Sequence, residues 1–194
     1  MYHNRKSLTN ILDTAKSALA VSFHPNGTYA DFTAGRGFDS LYIRTVCPDC
    51  ELYSFDIQES AVLSTKKLLT DSGRYDDRVH IIRDSHADFA KYMTKLDGAI
   101  FNLGYLPRGD KSITTLLDST MRCLTGALDM LSVGGVIVVQ IYPGHEEGTR
   151  EGNEILALAE KLDKKQFDCL YHRLVNIPEA PFIIAFQKKI LFED

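Results

Sequence analysis

A glycine turn set between two strand-length segments constrains this chain more than any other feature of its 194 residues. Thr28–Thr33 reads as a strand, Ala34-Gly35-Arg36-Gly37 as a tight turn, and Phe38–Val46 as the helix that follows. Roughly 20 residues beyond the turn, a second strand over Glu51–Asp56 ends in a carboxylate. In a parallel sheet this spacing lays a nucleoside across neighbouring strand ends, with the second acid accepting from the ribose hydroxyls.

The rest of the chain keeps the same rhythm. Strands are expected near Val79–Arg83, Gly98–Asn102, Val136–Ile141, Phe167–Leu174 and Phe182–Gln187. Helices are expected over Asn4–Ala20, Glu59–Ser72, His86–Tyr92, Ser112–Leu131 and Gly148–Lys164. Alternation of this kind implies an α/β sandwich around a mainly parallel sheet. Over Ser112–Leu131 the apolar residues Ile113, Leu116, Leu117, Met121, Leu124, Leu128 and Leu131 fall on one helical stripe, which ends before Gly134-Gly135. The last two strands, joined through Asn176–Pro181, read as a hairpin, so the final strand is expected to run antiparallel.

Bulk properties narrow the class further. The length suits a single domain over 1–194, and 44% hydrophobic with 25% charged residues describes a soluble globule. No apolar run reaches membrane-spanning length and the start does not read as a signal peptide, so a cytoplasmic location and no membrane partner are expected. A net charge of −4 argues against a general nucleic-acid coat protein, but leaves room for one RNA bound through a local basic patch. Cys47-Pro-Asp-Cys50 lacks a second pair to complete a zinc site and lies in a turn before a strand, so it reads as two reduced thiols in a loop, with no metal.

The turn reads Gly-x-Gly-x-x-Ser, with Asp31 before it and Asp39 behind it. Two acids and a missing third glycine suit a dinucleotide's pyrophosphate poorly. They suit a ligand that is a nucleoside at one end and cationic at the other, and S-adenosyl-L-methionine is such a ligand. In that reading Gly35 and Gly37 let the backbone approach its methionine part, with Asp31 and Asp39 near the ammonium and sulfonium. Asp56 holds the ribose, Gln58 the ribose or adenine, and the Asp84-Ser85-His86 strand end the adenine edge. A plainer reading makes Asp56 only the cap of the next helix.

At the other end of the pocket, Asn102 follows a strand and offers a carbonyl oxygen to an amine hydrogen, while Tyr105 or Tyr142 can stack on a flat base. Asp110 and His145 are candidates to receive the amine proton. Arg108 and Lys111, with Arg5, Lys6 and Arg150, are candidate phosphate partners. Individually, each of these also has an ordinary reading as a turn former, packing residue or solvated charge.

Together, Asp31-Phe-Thr-Ala-Gly-Arg-Gly-Phe-Asp39, Phe55-Asp-Ile-Gln58, Asp84-Ser-His86, the run from Asn102 to Thr115 and Ile141-Tyr-Pro-Gly-His-Glu-Glu-Gly148 resemble one bacterial family. It is a family of tRNA methyltransferases, long labelled rRNA methylases, that convert the wobble 5-aminomethyl-2-thiouridine to its methylaminomethyl form. The resemblance implies a Rossmann-like class I methyltransferase domain: a seven-stranded, mainly parallel sheet with an antiparallel last strand and helices on both faces. It also implies S-adenosyl-L-methionine as cofactor, the tRNA anticodon region as partner, and Asn102 as the residue that orients the amine. A homodimer is compatible with so small an RNA enzyme. Arg36, Phe38 and Ser40 stand where the family turn has Asn, His and Thr, so Arg36 is left between a cofactor contact and a solvated charge. Methylation of rRNA or of a small metabolite, a non-catalytic nucleoside-binding module and a nicotinamide dehydrogenase are the competing readings.

Overall fold

The computed structural model describes residues 10–103, 117–144 and 146–189. Strands β1 (Thr28–Asp31), β2 (Glu51–Phe55), β3 (Val79–Ile82), β4 (Leu96–Asn102), β5 (Leu131–Ile141), β6 (Phe167–His172) and β7 (Phe182–Lys188) form one sheet in the order β3-β2-β1-β4-β5-β7-β6. The first five pair in parallel, and β7 inserts antiparallel between β5 and β6. The order reverses between β1 and β4, which opens a crevice at their carboxyl ends.

Helices α1 (Ile11–Ala20), α2 (Phe38–Val46) and α3 (Glu59–Asp71) cover one face. There Ala15, Leu19, Ile43 and Leu69 close over Tyr29, Leu52, Ile100, Val136 and Val138. Helices α4 (Leu117–Met130) and α5 (Glu146–Lys161), with a 3-10 helix over His86–Lys91, cover the other. Its core joins Phe32, Phe89, Phe101, Leu124 and Ile155, with Phe32 against three other phenylalanine rings at centroid distances of 4.8–5.7 Å. Each strand divides its residues between these faces by the two-residue alternation of extended chain. Among the described residues no helix is long and apolar enough to cross a membrane.

Two boundaries differ from expectation. Leu131 is the first residue of β5 rather than the end of a helix, because it pairs with Leu96 ahead of an irregularity that resets the register at Gly98–Val136. Gly134 takes the left-handed turn expected of it, at φ +81°, but inside this irregular strand start. A side chain on Gly135 would meet the Ser132 and Asp97 carbonyl oxygens at 2.8 and 2.9 Å. The segment after β3 closes as a 3-10 helix of six residues, its start capped by Ser85 Oγ accepting from the Ala87 N–H.

Candidate active site

The turn after β1 is built as a cradle whose floor is the next strand. Gly35 and Gly37 adopt φ of +54° and +84°, and Gly37 is the N-cap of α2. The Gly35 N–H donates to Asp56 Oδ2 at 2.9 Å, and the Gly37 N–H to the Ala34 carbonyl at 2.7 Å. Gly37 also serves packing, since a Cβ there would stand 2.8 Å from Thr65 Cα in α3. Asp56 is thus fixed between turn and helix, its Oδ1 accepting from the Gln58 N–H at 2.9 Å. Its carboxylate retains lone pairs for hydroxyl donors, because each oxygen has two. Beside it an open groove of about 590 Å³ is lined by Ile57, Gln58, Glu59, Ser60, Leu63 and Arg83. Ile57 and Leu63 present exposed apolar surface to that groove.

Asp31 and Asp39 sit on the face covered by α1 and α2. Asp31 is 1% exposed; its Oδ2 accepts from Ser40 Oγ at 2.6 Å and its Oδ1 from the Thr33 N–H at 3.2 Å. Burial, and then the neighbouring Asp39 charge, push its carboxyl up to about 7. Asp39 is raised too, by burial, against the opposing pull of Lys16 and the nearby Asn102 amide. Lys16 Nζ lies 3.5 Å from Asp39 and 5.3 Å above the Tyr42 ring. The pair is therefore a cation-seeking centre with a lysine already at one side.

Asn102 is the last residue of β4. Its N–H donates to Thr33 Oγ1 at 2.7 Å, which clamps the ends of β1 and β4 together. Its side-chain amide lies near the Asp39 carboxylate and the Tyr142 hydroxyl, and its polar pull on each opposes the rise that burial causes. Burial, followed by the Asp39 charge, holds Tyr142 above the ordinary phenol range.

The third strand end is arranged differently from a row of open side chains. Asp84 accepts from the Ser85 N–H at 2.7 Å and from the Tyr92 hydroxyl at 2.8 Å, and these bonds lower its carboxyl. Ser85 spends its hydroxyl on the cap already described. His86 turns inward, edge-on to Phe101 at 5.9 Å, and burial drives its imidazole down to about 4. It is neutral at physiological pH.

Tyr105, Arg108, Asp110, Lys111 and His145, with Arg5 and Lys6, lie outside the described residues. Arg150 is exposed on α5. Cys47 and Cys50 are buried at the junction of α2 and β2, with burial raising both thiols. Among the described residues no group of three or more His, Cys, Asp or Glu is placed to hold a metal.

Sequence reasoning passed over Lys16, the Ser40 and Ser54 hydroxyls, Thr33 and Gln140. Ser54 Oγ lies 2.8 Å from Ser40 Oγ and belongs to the same buried network as Asp31. Only Ser40 carried a signal, since a hydroxyl residue also stands there in the resembled family. Lys16 and Gln140 come from segments that read as plain amphipathic helix and plain apolar strand.

The comparisons agree with this geometry. Residues 52–188, well over half of the chain, match the family described as "Putative rRNA methylase". The chain belongs to that family. A chloroplastic tRNA (mnm5s2U34)-methyltransferase of Arabidopsis thaliana is 31% identical over 84% of this chain, which spans 63% of the plant protein's length. Among solved structures, a "putative rRNA-methylase" of Clostridium thermocellum is 31% identical with a TM-score of 0.88, covering 95% of this chain and 99% of its own. A "putative methyltransferase" of Streptococcus mutans, solved in complex with SAH, is 27% identical with a TM-score of 0.84 over the same shares. The sheet order and the antiparallel β7 are those of the expected class I methyltransferase fold.

Proposed function

We propose that this protein is an S-adenosylmethionine-dependent methyltransferase that methylates the aminomethyl nitrogen of the wobble 5-aminomethyl-2-thiouridine in tRNA. The observation that carries the reading is Asn102, clamped to Thr33 at the end of β4, with its amide beside the Asp39 carboxylate and the Tyr142 hydroxyl. Similarity to the Arabidopsis tRNA enzyme over most of the chain supports the substrate.

The residues present fit the cofactor. The Asp31–Asp39 centre, where burial disfavours the ionised form of both carboxyls, gains from a cationic group. Asp56 meets the ribose hydroxyls, and the groove at Gln58, walled by Ile57 and Leu63, suits a flat base. Asp84, with lone pairs beyond those given to Ser85 and Tyr92, faces the base edge. Gly35 and Gly37 shape the turn around the methionine part, and Ser85 and His86 hold the third strand end in place. When bound, S-adenosylmethionine supplies an electrophilic methyl group on a sulfonium that needs no metal to leave.

The protein's own task is to present a neutral amine in line with that group, and proximity supplies much of the acceleration. An alkylammonium has no lone pair; a buried pocket lowers its proton affinity and favours the reactive form. Asn102 Oδ1 receives one amine hydrogen and fixes the direction of the nitrogen. Tyr142 and Tyr105 flank the base, Arg108 and Lys111 meet phosphates, and Asp110 and His145 are the proton acceptors of this reading.

The test is nucleoside mass spectrometry of tRNA carrying 5-aminomethyl-2-thiouridine after incubation with methyl-labelled cofactor. Label in 5-methylaminomethyl-2-thiouridine is expected. Label in rRNA alone transfers the reading to the activity in the family's description, and label in neither overturns it.

A further inference from the structure

Gln140 is the next-to-last residue of β5, 1% exposed, and neither atom of its side-chain amide has a hydrogen-bond partner among the described residues. Its strand neighbours on the same face, Val136 and Val138, are aliphatic and fully packed. An aliphatic side chain would therefore suit this position without leaving a buried donor and acceptor unpaired. A buried amide left unpaired in the resting fold calls for an explanation.

Its neighbour on the adjoining strand offers one. Asn102 is its direct register partner on β4, and both side chains belong to the face covered by α1 and α2. The main chain is locked at this point, with the Leu103 N–H donating to the Gln140 carbonyl at 3.0 Å and the Asn102 N–H to Thr33. Adjacent strands run about 4.8 Å apart, so the two amides need only side-chain rotation to meet. In the resting arrangement the Asn102 amide lies beside Asp39 and Tyr142 instead. Those two partners are the ones a filled site claims, Asp39 by a cationic cofactor and Tyr142 by the target base.

Resting on the function proposed above, we propose that Gln140 is a positioning residue for Asn102. When the site fills, Gln140 Oε1 accepts from the Asn102 Nδ2 hydrogens. Asn102 Oδ1 then stays directed at the substrate amine instead of flipping away.

Gln140→Met, unbranched and of similar length, tests this in the full chain. Relief of the unpaired amide raises Tm by about 2–4 °C. Turnover at saturating cofactor and tRNA falls about tenfold, while calorimetric affinity for S-adenosylhomocysteine stays unchanged. In an Asn102→Ala background the same change alters turnover less than about twofold, because the residue it positions is gone. Independently of activity, the Gln140 side-chain amide signal in nitrogen-15 spectra, assigned by its loss in Gln140→Met, shifts on saturation with S-adenosylhomocysteine in the wild type and not in Asn102→Ala. Unchanged turnover, a lowered Tm, additive losses in the double variant or an immobile amide signal would each overturn the proposal. A wild-type protein that binds S-adenosylhomocysteine but methylates no tRNA sinks the substrate reading alone, and the amide signal still decides the role of Gln140.

Discussion

Two carboxyl groups that share a buried corner do not both ionise freely, and Asp31 and Asp39 show the consequence. Asp31, raised to about 7, is half protonated at neutral pH in the ligand-free site. A cationic ligand binds best when both are ionised, so it expels that proton. Affinity for S-adenosylmethionine is accordingly expected to rise with pH from about 5.5 to 8 and then level off. Asp31→Asn should flatten the profile, and calorimetry in buffers of different ionisation enthalpy counts the released proton. A pH-independent affinity in the wild type would remove the acid pair from the cationic end of the site. Asn102 answers to a different measurement. Asn102→Ala should leave cofactor affinity within about twofold and cut single-turnover rate by roughly 100-fold, since in the proposed function it aligns the amine and not the nucleoside. The acids were legible in the sequence because they flank a glycine turn at a fixed spacing. Lys16 and Gln140 were not, because what makes them unusual is a tertiary neighbour.

At the level of elements, the turn and the helices around it set the tolerance of the site. Gly37 combines φ +84° with a Cβ position 2.8 Å from the Thr65 backbone, so Gly37→Ala is expected to cost about 2–4 kcal/mol in urea unfolding. Shortening Thr65 does not relieve it, because the obstructing atom is a Cα. Across the sheet, Glu151 of α5 is 5% exposed and accepts from the Thr120 hydroxyl of α4 at 2.7 Å. Burial and nearby Glu147 raise its carboxyl from 4.5 to about 7. Between those values the folded state holds a proton that the unfolded chain has lost, so stability from this group is full below about 4.5 and lost as pH rises through about 7. Glu151→Gln keeps a hydrogen-bonding group without the charge. It should match wild type at pH 4.5 and exceed it by ~2 kcal/mol at pH 8.5; equal stability at both pH values would mean that water reaches Glu151. Element existence was readable from periodicity, since alternation and helical stripes are local. The start of β5 was not, because pairing of Leu131 with Leu96 extends the strand through a segment whose glycines read as a turn. The sheet order, likewise, came with the resemblance and not from hydropathy, which carries no information on which strands pair.

The whole molecule poses an electrostatic problem: a chain of net charge −4 is proposed to hold a polyanion. The acidic residues are not spread evenly against that task. Asp31 is buried and Asp39 half-buried at the end of β1 and the start of α2, and several surface carboxylates are already paired, among them Asp71 with Lys67, Asp88 with Arg122 and Asp168 with Lys189. Arg150, exposed on α5, stands on the helix that leaves the Tyr142 end of the site, while Arg108 and Lys111 follow Asn102 in sequence. Phosphate contact would then come from a few cations around the reaction end and not from the molecule's overall field. With about four such contacts to a single-stranded anticodon loop, log K should fall with log salt at a slope near −3, or roughly 50-fold between 50 and 200 mM. Arg150→Ala should weaken tRNA binding and reduce that slope by about 1 while leaving the affinity for S-adenosylhomocysteine untouched. Fluorescence anisotropy of a labelled anticodon stem-loop across a salt series reads both. A slope near zero would mean that the RNA is held by base contacts alone, and an unchanged slope in Arg150→Ala would place the RNA path away from α5.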